Sequence, residues 1–197
     1  MKKIFIFFLL FLNLINAAYS QEIRSRFGFY LNVPNSLIAL HNVDIDKLLK
    51  EYEGKDVDKS AFNDIMAGAT KEEMTLEYFF PKDLDPVNNS ININVQKSSI
   101  NDVYSLGLKD LCPLYQKEYS RLFKKKIKQY ECKFITEFSP KFNSVIYLIH
   151  DGIENYLIQY QFQVRSGIAT LTVGCDTNKN CNTMSRYANN MINSIKE

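Results

Sequence analysis

Residues 145–175 fall into three runs rich in β-branched and aromatic residues, the middle of which alternates between apolar and polar side chains, and this pattern constrains the fold more than any other feature of the chain. A period of two is typical of a half-buried β-strand, because successive side chains point to opposite faces of a sheet. Asp151-Gly152 and Ser166-Gly167 separate the runs. Two-residue loops that contain glycine favour hairpins. The stretch is therefore predicted to form a three-strand antiparallel meander.

The two predicted turns also define a register. The first pairs Ile149 with Glu154, and the second pairs Val164 with Ala169. Both registers place the same residues on one apolar face of the middle strand, and a slip of one residue would turn that face outward. The apolar face comprises Tyr156, Ile158, Tyr160, Phe162 and Val164.

One end of the opposite face of the meander is polar and uncharged, whereas the other end carries apolar residues and is expected to be partly covered. Solvation alone explains such a face, because antiparallel sheets often leave one side in water. A row of neutral donors and acceptors also suits contact with another polar surface. The possible partner surface comprises Gln159, Gln161, Gln163, Thr170 and Thr172.

Other segments add strands and helices around the meander. Alternation predicts strands at residues 26–34, 74–80 and 90–96. Apolar residues at helical spacing predict helices at residues 45–52 and 62–69, and a final helix at the C-terminus. The predicted fold class is α+β, mainly antiparallel β-sheet flanked by helices, with a C-terminal three-strand meander and a final helix. The buried stripe of the final helix comprises Met184, Tyr187, Ala188, Met191 and Ile195.

Residues 1–20 have the order of a secretory signal peptide: two lysines, an apolar run and then small residues. Cleavage is predicted after Ser20, with Ala18 as the alternative. An uncleaved anchor is the competing interpretation, although the apolar run is short for a membrane span. Residues 21–197 then form a single α+β domain, which is long enough to bury a core. The protein is expected in the periplasm or outside the cell.

Removal of the signal peptide changes the charge balance. The chain has 24 lysines and arginines against 22 aspartates and glutamates, and Lys2 and Lys3 lie in the signal, so 22 of each sign remain. A chain with zero net charge is not a generally basic nucleic-acid binder, and no nucleic-acid partner is expected. No later apolar run is long enough to cross a membrane, so no membrane span is expected in the mature chain.

Four cysteines lie in the exported part of the chain, and an even number predicts two disulfides. Three pairings are possible. One is favoured by length, because a helix over residues 113–126 rises about 21 Å and a strand over residues 127–132 returns about 20 Å. A zinc site would need closer cysteine pairs with nearby histidines, so no metal and no cofactor are expected. The favoured pairs are Cys112–Cys132 and Cys175–Cys181.

The densest positive charge lies at residues 124–128, with the sequence KKKIK. Pro113 is predicted to occupy the first turn of the preceding helix. Lys124, Lys125 and Lys126 then fall in the last turn, where they favour the negative end of the helix dipole. A helix end followed by a solvated strand start is the predicted role of this run, and a surface for an acidic partner is the alternative. The residues predicted to face the core are Leu114, Tyr115, Tyr119, Leu122 and Phe123.

The sequence contains no recognisable catalytic constellation. A catalytic triad requires a histidine, and neither His41 nor His150 has a nucleophile motif beside it. Asp151, next to His150, is explained by the predicted turn. Phosphate loops, dinucleotide fingerprints and zinc-helix motifs are absent from the sequence. The sequence therefore favours a non-enzymatic role and predicts no catalytic, cofactor-binding or metal-binding residue.

Two stretches resemble PsbP-like domains. FGFYLNVPNSL at residues 27–37 is similar to their opening strand and its terminal proline, and RYANNMINSIK at residues 186–196 is similar to their closing helix. The order of elements between these stretches is compatible, whereas the disulfides and the long helix from Pro113 depart from the family pattern. The resemblance implies an antiparallel sheet flanked by helices, in a family that mostly acts by binding other proteins. It transfers no functional residue.

The expected function is that of an exported, soluble protein that binds another protein. Two alternatives stay open. One is a periplasmic or secreted inhibitor or immunity-type protein, and the other is a hydrolase whose site has no recognisable motif. A concave pocket with two or more titratable groups would favour the enzyme, whereas a flat or convex polar face would favour binding.

Overall fold

The predicted signal peptide and two predicted helices lie largely outside the part of the chain that the structure describes. Of the signal at residues 1–20 only Ser20 is described, and of the helix at residues 45–52 only residues 50 and 52 are. In the helix predicted at residues 62–69, the described residues 62–64 and 66 are helical. The computed structural model describes residues 20–40, 50, 52–53, 57–58, 60, 62–64, 66, 76–97, 107–122, 124, 126–135, 145–151 and 156–197.

The described strands form two antiparallel sheets, and two long helices accompany them. The small sheet pairs β1 (Ser20–Arg24) with β2 (Tyr30–Pro34). The strands of the large sheet are β3 (Leu37–Ala39), β4 (Leu76–Pro81), β5 (Ser90–Gln96), β6 (Gln129–Ile135), β7 (Val145–Asp151), β8 (Tyr156–Val164) and β9 (Gly167–Cys175). Their spatial order is β3-β4-β5-β9-β8-β7-β6. The helices are α1 (Gly107–Leu122) and α2 (Asn178–Asn193). The predicted α+β class, the meander and the final helix are confirmed.

The main core lies between one face of the large sheet, helix α2 and the small sheet. From β8, Phe162 is fully buried, and from α2, Met184 and Met191 are fully buried. We call this side of the large sheet the core face and the other side the outer face. The apolar face predicted for the middle strand is the core face: Ile158, Tyr160, Phe162 and Val164 are buried and Tyr156 is half-buried.

The first predicted turn of the meander is wrong. Ile149 pairs with Ile158 instead of Glu154, and Asp151 is a strand residue that pairs with Tyr156. The connection between β7 and β8 therefore comprises residues 152–155, which are outside the described part of the chain. Because the register differs from the predicted one by four residues, an even number, the side chains of β8 keep their predicted faces.

The second predicted turn is also wrong, by two residues. Val164 pairs with Gly167, so the turn consists of Arg165 and Ser166. Gly167 has a φ of +144°, and a Cβ atom there would lie 2.0 Å from the carbonyl oxygen of Gln96. The glycine is thus required for the close approach of β9 to the end of β5, whereas the prediction had assigned it to the turn itself.

The N-terminal strand starts later than predicted. Residues 25–28 form a turn in which the Gly28 N–H donates to the Ser25 carbonyl at 3.0 Å and Gly28 has a φ of +94°. The turn connects β1, which the sequence did not predict, to β2. Phe29, just before β2, is nevertheless buried in the core, as the alternation predicted.

Helix α1 starts and ends earlier than predicted. It begins at Gly107, so Pro113 lies inside the helix rather than in its first turn, and it ends at Leu122, before the lysine run. Leu111 is buried, whereas Leu114, predicted to face the core, is 46% exposed. Tyr115 and Tyr119 are half-buried, as the predicted stripe requires.

Both favoured disulfides are confirmed. Cys112 and Cys132 are bonded with their Cα atoms 6.0 Å apart, and Cys175 and Cys181 are bonded with their Cα atoms 5.1 Å apart. The first bond joins α1 to β6, and the second joins the end of β9 to the first turn of α2. None of the four cysteines is free.

Candidate functional site

The central strands of the outer face carry a band of neutral polar side chains, which we call the polar band. The strand register aligns these side chains in rows across the sheet. In one row, Asn92 of β5 pairs with Thr172 of β9, which pairs with Gln159 of β8. A second row has the same composition, with an asparagine, a threonine and a glutamine. The polar band comprises Asn92, Asn94, Gln159, Gln161, Thr170 and Thr172.

Helix α1 covers the β8 side of the polar band. The Tyr115 hydroxyl donates a hydrogen bond to Oε1 of Gln161. Tyr119 hydrogen bonds to the side chain of Gln159, which also donates from Nε2 to Oγ1 of Thr172 at 3.1 Å. As a result, Gln159 is only 5% exposed and Gln161 only 7% exposed. The helix is therefore attached to this part of the sheet largely through polar groups.

A small apolar cluster and a disulfide hold the same helix against β6. Leu111 packs with Tyr115, Cys132 and Phe134. Through the pairing of β6 with β7 and of β7 with β8, Cys132 lies in the row of Gln159. The apolar contacts and the Cys112–Cys132 bond therefore fix α1 at the β6 edge of the outer face, from where its tyrosines reach the glutamines of β8.

Burial beside the sheet changes the ionisation of Tyr119. Desolvation raises the pKa of the Tyr119 phenol, because the charged phenolate is less well solvated than in water. The hydrogen bond with Gln159 acts in the opposite direction and lowers this pKa, since it favours the phenolate, but the net change is upward. Tyr119 is therefore neutral at ordinary pH and keeps its hydroxyl proton.

The predicted partner surface is wrong at its centre. Gln159 and Gln161 face α1 and not the solvent, because the tyrosine hydroxyls provide polar partners that allow a helix to cover them. Gln163 is exposed, but its Nε2 donates at 2.8 Å to the carbonyls of Val164 and Gly167 and thereby stabilises the turn. Thr170 and Thr172 are half-buried. Of the predicted surface, Gln163 and the two threonines keep access to solvent.

The part of the polar band on β5 and β9 remains accessible, and we call it the open strip. Its members are all half-buried, so each combines an exposed portion with a fixed backbone position. Strand order places the open strip between the helix-covered glutamines of β8 and the aromatic residues of β4. The open strip comprises Asn92, Asn94, Thr170 and Thr172.

Aromatic residues border the open strip on its β4 side. Tyr78 pairs with Asn92, and its ring stacks on Phe80 with the centroids 5.8 Å apart. Phe80 packs in turn against Phe62, which contacts Tyr52, and these residues form a second apolar cluster. Burial raises the pKa of Tyr78, so this phenol also stays neutral. The strip thus lies next to a half-buried neutral tyrosine.

Two side-chain oxygens of the polar band are buried without a hydrogen-bond partner. They are Oδ1 of Asn94 and Oε1 of Gln159. An unsatisfied buried acceptor costs about 1–3 kcal/mol relative to a satisfied one. The polar band therefore has acceptor capacity that its own neighbours do not use.

The polar band can donate and accept hydrogen bonds, but it contains no general acid, general base or activated nucleophile. In the described part of the chain, no three histidine, cysteine, aspartate or glutamate side chains come together as a possible metal site. His41 lies outside the described residues, and so does the side chain of His150.

Sequence reasoning missed two kinds of residue in this band. Asn92 and Asn94 had a usable signal, because the segment SININVQ places polar residues at every second position and β5 pairs with the predicted polar face. The hydrogen bond between Tyr115 and Gln161 had no such signal in the sequence. These residues are 46 positions apart and meet only when the helix packs on the sheet.

No family model and no curated protein matches the sequence. Solved structures do match the fold. The solution structure of cyanobacterial PsbP (CyanoP) from Synechocystis sp. PCC 6803 is similar, with a TM-score of 0.54 and 12% sequence identity over 91% of this chain and 92% of that chain. A crystal structure from Bacteroides thetaiotaomicron gives a TM-score of 0.41 and 9% identity over 90% of this chain and 48% of that chain. The first likeness confirms the PsbP-like fold.

Two further observations concern the cellular setting. The two disulfides are consistent with an exported protein, since disulfides persist in oxidising compartments. Within the residues that the structure describes, neither α1 nor any other helix has the length and apolarity to cross a bilayer.

Proposed function

We propose that this domain of PsbP-like fold is an exported, non-enzymatic protein that binds another protein through the open strip. The observation that carries the proposal is the pair of in-register rows in which half-buried asparagines of β5 face threonines of β9. These four side chains are uncharged, fixed by the sheet and partly exposed.

The composition of the open strip suits a protein partner. Amides and hydroxyls both donate and accept hydrogen bonds, as the mixed surface of another protein requires. Neutral groups are also less costly to desolvate than charged ones. Tyr78, half-buried beside Asn92, adds an aromatic side chain of the kind that contributes most to binding energy in protein interfaces.

The unsatisfied oxygen of Asn94 adds a second reason. A donor from a partner, placed next to Asn94, would satisfy Oδ1 once the side chain turns toward it. The free protein carries the desolvation cost of this oxygen, so a partner that supplies an N–H group removes a cost as well as adding a contact. Export of the protein is proposed from the signal-like N-terminus and the two disulfides.

The test is affinity capture from a periplasmic and secreted extract of the native cells. Three baits are compared: the unchanged protein, Asn92→Arg in the open strip, and Asn190→Arg at an exposed position on α2. We expect a protein that the unchanged bait and the Asn190→Arg bait retain equally. Asn92→Arg should retain about tenfold less of it, because a buried unpaired charge at the centre of an interface is strongly unfavourable.

Thermal unfolding of each bait provides the folding control. Equal capture of the same protein by all three folded baits would show that the open strip is not the binding surface. Failure of the unchanged bait to retain any protein would contradict the binding role itself.

A further inference from the structure

The two disulfides differ in their exposure to solvent. Cys175 is 0% exposed and Cys181 is 8% exposed, and both belong to the main core. Cys112 and Cys132 are half-buried, and Cys132 packs in the small cluster around Leu111. Thiol–disulfide exchange requires an attacking thiolate to reach one of the two sulfur atoms. The Cys112–Cys132 bond is therefore the disulfide that a reductant reaches more easily in the folded protein.

The two bonds also differ in what they hold together. Cys175–Cys181 joins β9 to α2 across a sequence separation of 6, between elements whose buried side chains form the main core. Cys112–Cys132 joins α1 to β6 across a separation of 20, and β6 ends the strand order of the large sheet. A bond that closes a longer loop restricts the chain more. Opening Cys112–Cys132 should therefore free more motion than opening Cys175–Cys181.

The described contacts between α1 and β8 are hydrogen bonds, and water can replace them. Tyr115 bonds to Gln161, and Tyr119 bonds to Gln159. Exchanging such a bond for hydrogen bonds with water costs less than exposing a buried apolar side chain. Oε1 of Gln159 has no hydrogen-bond partner while α1 covers it. Water that enters beneath α1 would satisfy this oxygen, so release of the helix recovers part of its cost.

The C-terminal half of α1 has an attachment that does not depend on the disulfide. Nε2 of Gln116 donates to the Ile127 carbonyl at 2.9 Å, and the Ile127 N–H donates to Oγ of Ser120 at 3.0 Å. Ile127 is 1% exposed, so this attachment is buried. Opening the bond should therefore free the part of α1 that carries Cys112 while the other end stays attached.

We propose that the Cys112–Cys132 bond is a site of thiol–disulfide exchange with a protein dithiol, and that its reduction releases α1 from β8. Release of the helix exposes Gln159 and Gln161, which α1 covers in the oxidised protein. The inference rests on the two disulfides and on α1, and it does not depend on the open strip as a binding surface.

The exchange has two steps. One thiolate of the dithiol attacks a sulfur of the bond and forms a mixed disulfide, and the other cysteine of the pair leaves as a thiolate. The second thiolate of the dithiol then attacks the sulfur of its own first cysteine in the mixed disulfide, and the remaining cysteine leaves. Two electrons pass to the protein, and Cys112 and Cys132 take up two protons. The dithiol, which has lost two protons, becomes a disulfide.

The first test compares the two disulfides within one protein, so Cys175–Cys181 is the internal control. The folded mature chain is treated with dithiothreitol without denaturant, free thiols are alkylated at intervals, and the peptides are quantified by mass spectrometry. Cys112 and Cys132 should be alkylated at least about tenfold faster than Cys175 and Cys181, because attack depends on access to a sulfur. Equal rates, faster reduction of Cys175–Cys181, or no reduction of the folded protein would overturn the proposal.

The second test traps the mixed disulfide with a protein dithiol. A thioredoxin-class protein whose second cysteine is replaced by serine cannot complete the second step, so it should accumulate as an adduct on Cys112 or Cys132. The variant with Cys112→Ser and Cys132→Ser should form no adduct. Absence of an adduct on the unchanged protein, or an adduct that maps to Cys175 or Cys181, would contradict exchange at the proposed site.

Hydrogen–deuterium exchange tests the movement of α1. After selective reduction and alkylation, the amides of residues 111–119 should exchange at least about tenfold faster than in the oxidised protein, whereas those of residues 184–191 in α2 should change by less than about twofold. The variant with Cys112→Ser and Cys132→Ser should show the same pattern, which separates loss of the bond from an effect of the alkyl groups. Unchanged exchange in α1, or equal acceleration in both helices, would overturn the release of α1.

Discussion

The glutamines of the outer face show how the surroundings of a residue, rather than its type, determine its role in this sheet. Gln161 lies under α1 and accepts a hydrogen bond from Tyr115, whereas Gln96 lies at the end of β5 and is exposed. Strand alternation places both on the outer face. The sequence predicts that face, but it does not show which glutamine the helix covers.

The same substitution at these two positions should therefore have different effects. Gln161→Glu buries a carboxylate next to Tyr115, and we expect it to lower the free energy of unfolding by about 1–3 kcal/mol. Gln96→Glu, at an exposed position, should change it by less than about 0.5 kcal/mol. Chemical denaturation of the two variants measures both effects. An equal, small effect at both positions would show that α1 does not cover Gln161.

The raised pKa of Tyr119 predicts how the free energy of unfolding changes at alkaline pH. Burial raises its pKa in the folded state, so the folded protein keeps this proton to higher pH than the unfolded chain does. The part of the unfolding free energy that depends on this proton is fully present below the tyrosine pKa of the unfolded chain, which is about 10. It is lost as the pH rises through the pKa of Tyr119 in the folded protein. Tyr119→Phe has no such proton, and its stability should fall less steeply above about pH 10. Thermal unfolding between about pH 8 and about pH 11 tests this, and identical slopes for both proteins would contradict it.

At the level of helices and strands, β-strand faces were predictable and turns were not. Both predicted turns of the meander were misplaced, yet each register differs from the prediction by an even number of residues. An even shift leaves every side chain on the same face of the sheet. The apolar pattern that identified the core face is therefore the same in the predicted and the observed register, and it cannot distinguish between them. Gly167 added to the error, because it is required by the approach of Gln96 and not by the turn.

The position of α1 was predictable only in part. The matched lengths of a helix and a returning strand identified the Cys112–Cys132 bond. This prediction was correct although the helix end was misplaced, because the bond depends only on where the two cysteines lie. The start of the helix was misjudged because Pro113 is most often found in a first turn, whereas here it lies inside the helix. Contacts between α1 and β8 join distant residues, and no local pattern reports them.

The Cys112–Cys132 bond should make a large contribution to stability, since it attaches α1 to β6 beside a small apolar cluster. Removing it with Cys112→Ala and Cys132→Ala should cost about 3 kcal/mol, the value expected from chain entropy for a loop of this length. The double variant should also bring the pKa of Tyr119 closer to its ordinary value, because the helix is less firmly held. Denaturation and tyrosinate absorbance measure the two effects. A loss below about 1 kcal/mol would indicate that packing alone holds the helix.

At the level of the whole molecule, the predicted cleavage site lies at the start of β1. Cleavage after Ser20 leaves Gln21 to Arg24 to pair with β2, and Ile23, which is buried, stays in the core. We therefore expect the mature protein to begin at Gln21 and to keep β1. N-terminal sequencing of the protein from the periplasm or medium tests this. A mature chain that begins at Met1 would instead support the uncleaved anchor.

The fold and the candidate site differ in how far the sequence determined them. Period-two and helical spacing, together with four cysteines, were sufficient for the α+β class and both disulfides. The site depends on which polar residues stay uncovered, and that follows from how α1 packs on the sheet. The prediction therefore included Thr170 and Thr172 of the open strip but omitted Asn92 and Asn94, and it included two glutamines that the helix buries.

The proposed protein-binding role of the open strip is tested most directly by photocrosslinking in living cells. A benzophenone amino acid is placed at position 92, in the open strip, or at position 190, at an exposed position of α2. We predict a crosslinked protein adduct from position 92 that is absent from position 190. The absence of an adduct at position 92, or the same adducts at both positions, would contradict binding through the open strip.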